Sequence, residues 1–586
     1  MDDRRIEALR IRRDAAEVAS ERPHPLHISN GEEFRYRNSE NKPTHLANYS
    51  KGLPHCEKTG VIVNAEDYQQ FVRGIDSGDV RDFRDTPLGP PNQDGVPFPK
   101  WQSHIAQTSK GCKVPVRAWE SAGAGSTFDL QGPDSQSLTM PPAPELDSEE
   151  LITEMIEIYG MALLRDVPFA NFNSSTEVQK VVDLLNQSPW IKNQATNYIH
   201  LTDAEQKRLR GPFTKQTVFR GIAPGDNVGP YLSQFLLVGN QGLENIQSLS
   251  DGYIAYGAIR VDQRIRVAEP LKDYMTTWEA WVDVQNGADL RGIETYSETP
   301  APYRFMATPR DLATYVHYDA LYEAYLNACL IMLGLKIPFD PGIPFQGADF
   351  KDKQQGFAQF GGPHILSLVT EVATRALKAV RFQKFNVHRR LRPEAVSGWV
   401  TRYVNDDTKG IEAIKPLVDG LGEGLLKAVA DHNCKQNQKF SDRTSDANNC
   451  YKASYLLPMA FPEGSPMHPA YGAGHATVAG ACVTILKAFF DAGATLNFAF
   501  QPSADGSKLE PVTLDKPLTV EGELNKIAAN IAIGRNWAGV HYFTDYIESL
   551  RLGEQVAIGI LQEQKLTYGE NFSMTIPLFD GGSIRI

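Results

Sequence analysis

Apolar residues three and four positions apart recur along most of the chain after about residue 147, and this period predicts amphipathic helices. The segment SEELITEMIEIYGMALL begins with a Ser-x-Glu helix start. Few stretches alternate in the manner of strands, so we expect a mainly α protein, a bundle of packed helices with little β structure. Further single helices are predicted at 310–334, 365–391, 475–493, 518–536 and 540–564.

Residues 1–150 have a different pattern. Pro, Gly, Asn and Asp recur there, as in DTPLGPPNQDGVPFPKW and MPPAPEL, and such a segment rarely holds a core alone. Its start, MDDRRIEALRIRRD, is predicted to be an amphipathic helix. We therefore divide the chain into a loop-rich segment, 1–150, that wraps the rest or makes subunit contacts, and a helical body, 151–586.

The charge balance narrows the range of partners. The 586 residues include 59 Lys and Arg against 71 Asp and Glu, a net charge of −12, which argues against wholesale binding to nucleic acid or to an anionic membrane. The most apolar stretch, 476–486, stops at Lys487, far short of the roughly 20 residues that cross a bilayer. No signal-peptide core is visible at the start, so we expect a soluble protein that is not exported by the ordinary route, unless a leader has been removed.

Six cysteines are present, and the absence of a CxxC pair disfavours a structural zinc site of the usual kind. Cys329 and Cys482 lie in apolar helical segments and are predicted to be core thiols. The other four lie in polar, turn-rich segments, where free thiols and bridges within or between subunits both stay open. These four are Cys56, Cys112, Cys434 and Cys450.

Basic residues cluster near the end of the 365–391 helix. Arg381, Lys384, His388 and Arg392 are spaced by three, four and four residues, which predicts that they share one helix face. Like charges one turn apart repel by roughly 0.2–0.5 kcal/mol per pair, so this face needs an anion, acidic neighbours or solvent. A solvated basic stripe is the ordinary interpretation. Apolar neighbours instead indicate partial burial, and a buried cation cluster demands a counter-anion.

A glycine turn stands directly before the helix that begins near His475, in the block GSPMHPAYGAGHATVAGACVTIL. Small residues at Gly472, Ala473 and Gly474 let backbone N–H groups converge on an anion at the positive helix end. His475 could act there as an acid or base, and His468 lies seven residues earlier. Taken singly, such a turn is often only a turn, and each histidine is more often structural.

The block IAIGRNWAGVHYFTDYIES places Arg535, His541 and Asp545 six and four residues apart. We expect His541 and Asp545 to lie one helical turn apart, so that Asp545 holds one imidazole nitrogen and leaves the other for a metal centre or for nucleophilic attack. The alternative is an ordinary intrahelical pair. Together the three blocks supply cations, backbone amides and histidines, the groups that suit a tetrahedral oxyanion such as phosphate or vanadate.

These blocks resemble the signature shared by the vanadium-dependent haloperoxidases and the type 2 phosphatidic acid phosphatases. That signature is Lys and Arg-Pro, then Pro-Ser-Gly-His, then Ser-Arg, five residues, His, three residues and Asp. The similarity is greatest to the vanadium bromoperoxidases of red algae and their cyanobacterial relatives. It extends over nearly the whole chain, through STFDLQGPDSQS, GPYLSQF, VHYDALYEAYLNACLI, GSPMHPAYGAGH and LTYGENF.

The resemblance implies a helical-bundle haloperoxidase fold with its vanadate site within 381–545. His541 would be the axial vanadium ligand, and His475 would be the acid–base group for the apical oxygen and for peroxide. The vanadate oxygens would be bound by Lys384, Arg392, Arg535 and the amide of Gly474.

The resemblance also implies the reaction. Hydrogen peroxide on vanadate would give a peroxovanadate that oxidises bromide and iodide, and the hypohalous-acid-type product would halogenate small organic acceptors. His468 would tune halide selectivity, and Arg381 matches a position linked to halide handling in the algal enzymes. A carboxylate from the first half would orient His475, with Asp283 and Asp289 as candidates. Because the algal relatives form large hollow oligomers, we expect a homo-oligomer.

Some positions depart from the shared signature. The serine of Pro-Ser-Gly-His is Ala473 here, and Tyr471-Gly472 stands at the proline position; the algal enzymes share the Tyr-Gly but keep the serine. Gly534 replaces the serine before Arg535, as in the algal group. The missing hydroxyl removes one hydrogen bond to vanadate, worth roughly 1.5–3 kcal/mol for a charged acceptor, which points to weaker vanadate binding or slower turnover.

A second site is predicted in the turn PFDPGIPFQGADFKDKQQ. Asp349 and Asp352 are hard oxygen ligands at close spacing, which suits calcium. The resemblance implies a structural Ca²⁺ bound by the carbonyls of Phe345 and Gly347 and the carboxylate of Asp352. A solvated acidic turn is the alternative.

Two other functions stay open beside the haloperoxidase. An acid phosphatase on the same scaffold would use His541 as its nucleophile. A catalytically impaired anion-binding or shell-forming protein is the third hypothesis, motivated by Ala473. The seven residues between Lys384 and Arg392 match the bromoperoxidase type and favour the first hypothesis.

Overall fold

The computed structural model describes residues 3–90, 116–240, 249–298, 302–439 and 454–586. Within these ranges helices dominate, and the strands form short two-stranded antiparallel ribbons, so the prediction of a mainly α protein is confirmed. Cys112, Cys450 and most of the segment DTPLGPPNQDGVPFPKW lie outside the described residues.

The helices are distributed along the whole described chain. In chain order they are α1 (Arg4–Ser20), α2 (Ala65–Ser77), α3 (Val80–Asp85), α4 (Glu149–Leu164), α5 (Thr176–Gln187), α6 (Pro189–Asn197), α7 (Asp203–Lys207), α8 (Trp278–Gln285), α9 (Pro309–Tyr318), α10 (Glu323–Gly334), α11 (Asp349–Asp352), α12 (Gly362–Phe382), α13 (Pro393–Val404), α14 (Lys415–Lys439), α15 (Gly474–Phe489), α16 (Val520–Trp537) and α17 (Phe543–Lys565).

The strands pair as local two-stranded antiparallel ribbons. The pairs are β1 (Gly239–Asn240) with β2 (Leu249–Ser250), β3 (Tyr253–Tyr256) with β4 (Ile259–Asp262), β5 (Ile265–Arg266) with β6 (Tyr303–Arg304), β7 (Thr495–Leu496) with β10 (Leu518–Thr519), β8 (Phe500–Pro502) with β9 (Leu509–Pro511), and β11 (Thr575–Pro577) with β12 (Ser583–Arg585).

Helix α15 forms the centre of the bundle. Every residue from 476 to 489 is buried, and the helix packs against α12, α16 and α17. Helix α17 approaches closely because two glycines face the contact: an added Cβ at Gly480 would collide with the Leu550 carbonyl, and one at Gly553 with the Thr477 carbonyl. This close packing fixes the position of the α15 N-terminus, where the predicted glycine turn lies.

Helix α4 is buried along almost its whole length, yet it carries three buried glutamates. Its predicted start is confirmed, because the Ser148 side chain accepts a hydrogen bond from the Leu151 N–H at 3.1 Å. Each glutamate is neutralised by an arginine from another part of the chain, which makes its burial tolerable. The ion pairs are Glu150–Arg208, Glu154–Arg390 and Glu157–Arg210.

The prediction of one long helix over 310–334 is wrong, because the structure divides this segment into α9 and α10. Asp319 leaves the helical conformation at φ −58° and ψ 142°. The Glu323 carboxylate then accepts a hydrogen bond from the Ala320 N–H at 3.1 Å at the start of the next helix. The apolar period continues through this break, and for that reason the sequence pattern concealed it.

The N-terminal segment is tied to the helical body at several points. The predicted helix at the start is confirmed as α1, although none of its residues is buried. Lys51 Nζ forms a buried ion pair with Glu394 at 2.9 Å, and Arg389 pairs with Glu33 at 2.7 Å. The N-terminal segment therefore contacts the helical body through ion pairs at more than one position.

The described part of the chain includes four of the six cysteines. Cys329 and Cys482 are fully buried in helices, so their prediction as core thiols is confirmed. Cys56 is a free thiol, whereas Cys434 is disulfide-bonded.

Among the described residues, no helix combines the length and the apolar character that crossing a membrane requires.

Candidate functional site

The predicted cationic helix face is only partly correct. Helix α12 ends at Phe382, and Gln383–His388 continues as a π-helix, a local form that is frequent at functional sites. Arg389 then turns back with φ 43°, and Arg392 stands at the N-cap of α13. Arg392 is not on the helix of Lys384, because the proline that follows it requires an extended residue. The turn nevertheless brings both cations to one site.

Lys384 is fully buried and points at backbone carbonyls. Its Nζ donates to the carbonyls of Pro469 at 2.7 Å and Ala470 at 3.2 Å, in the loop just before the glycine turn. Burial, and then the charges of Arg392 and Arg381, hold the pKa of Lys384 well below its usual range. The ammonium group is therefore held in place by dipoles rather than by a carboxylate.

Arg392 links two of the predicted histidines. Its Nη1 donates to the Val540 carbonyl at 2.7 Å and to His541 Nε2 at 3.0 Å. Its Nη2 reaches His468 Nδ1 and the His468 carbonyl, both at 2.9 Å. Burial lowers the pKa of Arg392 to about 10. The guanidinium therefore joins the loop that carries His468 to the segment that carries His541.

Arg535 completes the set of buried cations from the last turn of α16. Its Nη1 donates to the Val316 carbonyl at 2.8 Å, near the end of α9, while its Nε is buried and has no hydrogen-bond partner among the described residues. Burial lowers its pKa to about 10. An unpartnered donor on a buried cation is costly, and it is the kind of atom that an anion would satisfy.

His541 and Asp545 are in contact, but the prediction that they lie one helical turn apart is wrong. His541 precedes α17, and Asp545 accepts from the Tyr542 N–H at 3.1 Å as part of the helix cap. The Asp545 carboxylate contacts His541 Nδ1 at 2.8 Å and is itself paired with Arg390 at 2.9 Å. Burial and the charges of Arg392 and Lys384 hold the pKa of His541 well below its usual range.

His475 is oriented by a carboxylate that was not predicted. Its Nε2 lies 3.0 Å from Asp319 Oδ1, at the break between α9 and α10. The candidates Asp283 and Asp289 are therefore wrong: Asp289 pairs instead with Arg291 at 2.7 Å, and Asp283 is buried within α8. Burial lowers the pKa of His475, and the negative charge of Asp319 opposes that shift.

The glycine turn leads into α15 as predicted. Ala473 is the N-cap residue, and its N–H donates to Ser549 Oγ at 2.7 Å, a bond that ties the turn to α17. A Cβ added at Gly474 would lie 3.4 Å from Arg381 Nη1. The Arg381 guanidinium therefore lies next to the first residue of the helix, where the dipole also attracts anions.

His468 and Arg381 lie at the outer side of the cation cluster. The His468 side chain is 12% exposed and that of Arg381 is 7% exposed. Burial, and then the charge of Lys384, hold the pKa of His468 well below its usual range. Both side chains also contact Glu120, from the N-terminal segment.

The residues of the predicted calcium site are only partly brought together. Asp352 Oδ2 accepts a hydrogen bond from the Gly347 N–H at 2.6 Å, and Phe345 adopts a left-handed φ of 65° in the same turn. The Asp349 carboxylate instead accepts from the Gln355 side-chain amide, at 3.0 Å for each oxygen. Asp352 therefore lies against the turn, whereas Asp349 is occupied elsewhere.

The main site fits a tetrahedral oxyanion. Lys384, Arg392 and Arg535 are all buried, and no carboxylate in the described part of the chain forms an ion pair with any of them. Their positive charges converge on His541, whose pKa all three lower. Buried charge of one sign is stable only when an opposite charge joins it. Vanadate would supply that charge and would be ligated by the Nε2 of His541, the nitrogen that contacts Arg392 Nη1 at 3.0 Å in this structure.

Three residues that hold the site together escaped the sequence analysis. Asp319 lay inside an apolar period that predicted uninterrupted helix. Glu154 pairs with Arg390, and Arg390 pairs with Asp545, so this chain of charges holds His541 from α4. A glutamate in the middle of the apolar segment ITEMIEIYG was the available signal, because a buried carboxylate requires a partner.

Comparison with known proteins identifies relatives of this chain. A family model described as the second helical-bundle domain of VCPO matches residues 428–568. A vanadium-dependent bromoperoxidase from Corallina pilulifera is 50% identical, over 98% of this chain and 96% of that protein. The vanadium-dependent bromoperoxidase from Corallina officinalis is 49% identical over the same shares.

A solved structure agrees with these sequence matches. The homohexameric second vanadate-dependent bromoperoxidase (AnII) from Ascophyllum nodosum superposes with a TM-score of 0.79 at 28% identity, covering 100% of this chain and 90% of that one. The fold is therefore that of the helical-bundle haloperoxidases. With half of its residues identical over nearly the full length, this chain belongs to the vanadium-dependent bromoperoxidases.

Proposed function

We propose that the protein binds vanadate among its buried cations and uses hydrogen peroxide to oxidise bromide, and also iodide, to a hypohalous-acid-type species that halogenates small organic acceptors. The observation that carries the proposal is a set of three buried cations near His541, none of which forms an ion pair with a carboxylate of the described residues. The activity named for the relatives supports it.

The vanadate-binding residues have distinct proposed roles. Lys384, Arg392, Arg535 and the amide of Gly474 would hold the vanadate oxygens. His541 would bind vanadium through Nε2, because Asp545 holds Nδ1. Arg392 Nη1, which donates to Nε2 in this structure, would then donate to a vanadate oxygen instead. Bound vanadate would act as a Lewis acid that activates peroxide.

His475 has the task of moving protons. Hydrogen peroxide, bromide and a proton give hypobromous acid and water, so each turnover consumes a proton. The side chain of His475 is 17% exposed and its Nε2 is held by Asp319, which keeps the ring at the start of α15 while it exchanges protons with solvent. His468 and Arg381 would bind and select the halide at the outer side.

The first prediction tests the cofactor and the reaction together. Chelator-treated protein with peroxide and bromide is expected to brominate a phenolic dye only when vanadate is added. His541→Ala removes the proposed ligand, so it should lose both bromination and vanadate retention in equilibrium dialysis. His200→Ala, at an exposed histidine, is the control and should behave like wild type.

A parallel assay separates the other two hypotheses. Hydrolysis of an aryl phosphate that vanadate inhibits, without bromination at any vanadate concentration, would identify a phosphatase. Tight vanadate retention without either activity would identify an impaired anion-binding protein.

The second prediction concerns Asp319. Asp319→Asn removes the charge that orients His475, and outer-sphere changes of this kind cost roughly 10- to 100-fold, which we expect in kcat. Because Asp319 raises the pKa of His475 against the effect of burial, the acidic limb of the kcat–pH profile should move to lower pH. Asp262→Asn, in the same cavity lining as Asp319, is the control. An unchanged kcat and pH profile would contradict the assignment.

The third prediction concerns the missing serine. Ala473→Ser restores a hydroxyl group beside the vanadate position, and a hydrogen bond to a charged acceptor of roughly 1.5–3 kcal/mol corresponds to about 10- to 150-fold tighter vanadate binding. The dissociation constant for vanadate should be measured by titrating the chelator-treated protein. Ala479→Ser, within the buried part of α15, is the matched control. Equal affinities for Ala473→Ser and wild type would show that the hydroxyl has no contact with vanadate.

The fourth prediction follows from a proposed structural Ca²⁺ at the turn before α11. The carbonyls of Phe345 and Gly347 and the Asp352 carboxylate would bind it, since Asp352 already lies against Gly347. We expect Ca²⁺ to raise the Tm above its value in EGTA. Asp352→Asn should remove this difference, whereas Asp349→Asn should retain most of it because Asp349 is bonded to Gln355. A Ca²⁺-independent Tm in the wild-type protein would refute the site.

We also propose that the protein is a homo-oligomer. The support is the homohexamer named for the Ascophyllum structure, which superposes over the whole of this chain. The loop-rich segment 1–150 offers an exposed helix, α1, with none of its residues buried, and it is the first place to look for subunit contacts.

A further inference from the structure

A carboxylate from the N-terminal segment occupies the outer side of the cation cluster. Glu120 Oε1 lies 2.5 Å from Arg381 Nη2, and Glu120 Oε2 lies 3.4 Å from His468 Nε2. The Glu120 side chain is 44% exposed, whereas the two side chains it bridges are almost buried. One carboxylate therefore covers both residues that were predicted to handle the halide.

Arg381 has unused capacity to bind an anion. Its Nη1 is buried, lies beside the first residue of α15, and has no hydrogen-bond partner in the ranges that the structure describes. The adjacent helix N-terminus adds a positive potential at the same place. An anion on the exposed side of Arg381 would have to displace Glu120 or share the guanidinium with it.

The backbone around Glu120 is anchored to other parts of the protein. The Glu120 N–H donates to the Met467 carbonyl at 3.1 Å, and Trp119 Nε1 donates to the Lys51 carbonyl at 2.8 Å. A few residues later, a Cβ added at Gly125 would collide with the backbone of Phe382, directly after Arg381. The segment is therefore fixed on both sides of Glu120, and only the side chain is free to move.

We propose that Glu120 acts as a resident competitor of the halide. In the resting protein its carboxylate neutralises Arg381 and faces His468, and bromide binds only when the side chain swings out to solvent. Glu120 would thus set the apparent affinity for halide without contacting the vanadate ligands. This inference rests on the proposed function in one respect, the identity of the anion as the bromide substrate.

The size of the effect follows from the fraction of protein with the site open. An apparent dissociation constant equals the intrinsic one divided by that fraction, so a site that is open in roughly 10–30% of molecules binds about three- to tenfold more weakly than a permanently open one. Replacing Glu120 by a neutral residue should recover this factor. The chemical step should be little affected, because the residues around His541 and His475 are unchanged.

Glu120→Gln and Glu120→Ala test the proposal by two measurements. The first is bromide binding to the vanadate-free full-length protein, followed by ⁸¹Br NMR line broadening with potassium bromide. The second is steady-state bromination by the vanadate-loaded protein. In both variants we expect the dissociation constant and the KM for bromide to fall roughly three- to tenfold, with kcat within about twofold of wild type.

Glu371→Gln is the matched control. Glu371 lies on the same helix as Arg381, pairs with Arg375 at 3.1 Å, and changes the net charge by the same amount when it is replaced. If the Glu120 variants bind bromide no more tightly than Glu371→Gln, the proposal is overturned. Weaker binding in the Glu120 variants at an unchanged Tm would overturn it as well, because it would make Glu120 part of the anion site.

Failure of the proposed function would have a different signature. If no variant brominates but the Glu120 variants still bind bromide more tightly, the inference about Glu120 stands and the assigned reaction falls. If vanadate-dependent bromination occurs but no form of the protein binds bromide in the absence of vanadate, the assigned reaction stands and Glu120 as a competitor at a preformed site is overturned.

Discussion

The site depends on the burial of three cations that form no ion pair with any carboxylate in the described part of the chain. Lys384, Arg392 and Arg535 are held by carbonyl dipoles at helix ends and loops, which orient the charges but cannot cancel them. Removing each such ion from water costs several kcal/mol. The packing of the helices must offset this desolvation cost, and an anion bound in the cluster would offset part of it.

This constraint explains why the functional groups lie where helices begin, end or break. A helix interior satisfies its own carbonyls, whereas the loop at Pro469 and Ala470 and the end of α9 at Val316 leave carbonyls available for buried cations. The same geometry leaves an N-terminus, that of α15, pointing into the site. Rigid helices thus fix the positions while their ends supply the chemistry.

A network of ion pairs supports the site on the side of His541 that faces Asp545. Arg390 bridges the carboxylates of Glu154 and Asp545, and Asp545 holds His541. One guanidinium between two carboxylates leaves this network with one negative charge in excess. Arg390 and Arg392, two residues apart, therefore differ in their partners: Arg390 pairs with carboxylates, whereas Arg392 donates to carbonyls and histidines.

Local sequence patterns predicted much of the fold and of the site. Helices α4, α12, α15, α16 and α17 were predictable because each is a long run rich in apolar residues at helical spacing. The basic, glycine and histidine blocks were recognisable because each is contiguous in sequence. Asp319 could not be found in this way, since the turn after Tyr318 interrupts no apolar period. Glu120 lies 261 residues from Arg381, and no local rule joins two such positions.

The buried contact of Lys51 has a consequence for how the chain reaches its native state. Its partner, Glu394, lies 343 residues further on, and the small apolar cluster of Tyr49, Leu53 and Phe71 is completed by Phe385. The ribosome synthesises the N-terminal segment well before these partners. This part of the N-terminal segment therefore cannot complete its native contacts until Phe385 and Glu394 have been synthesised.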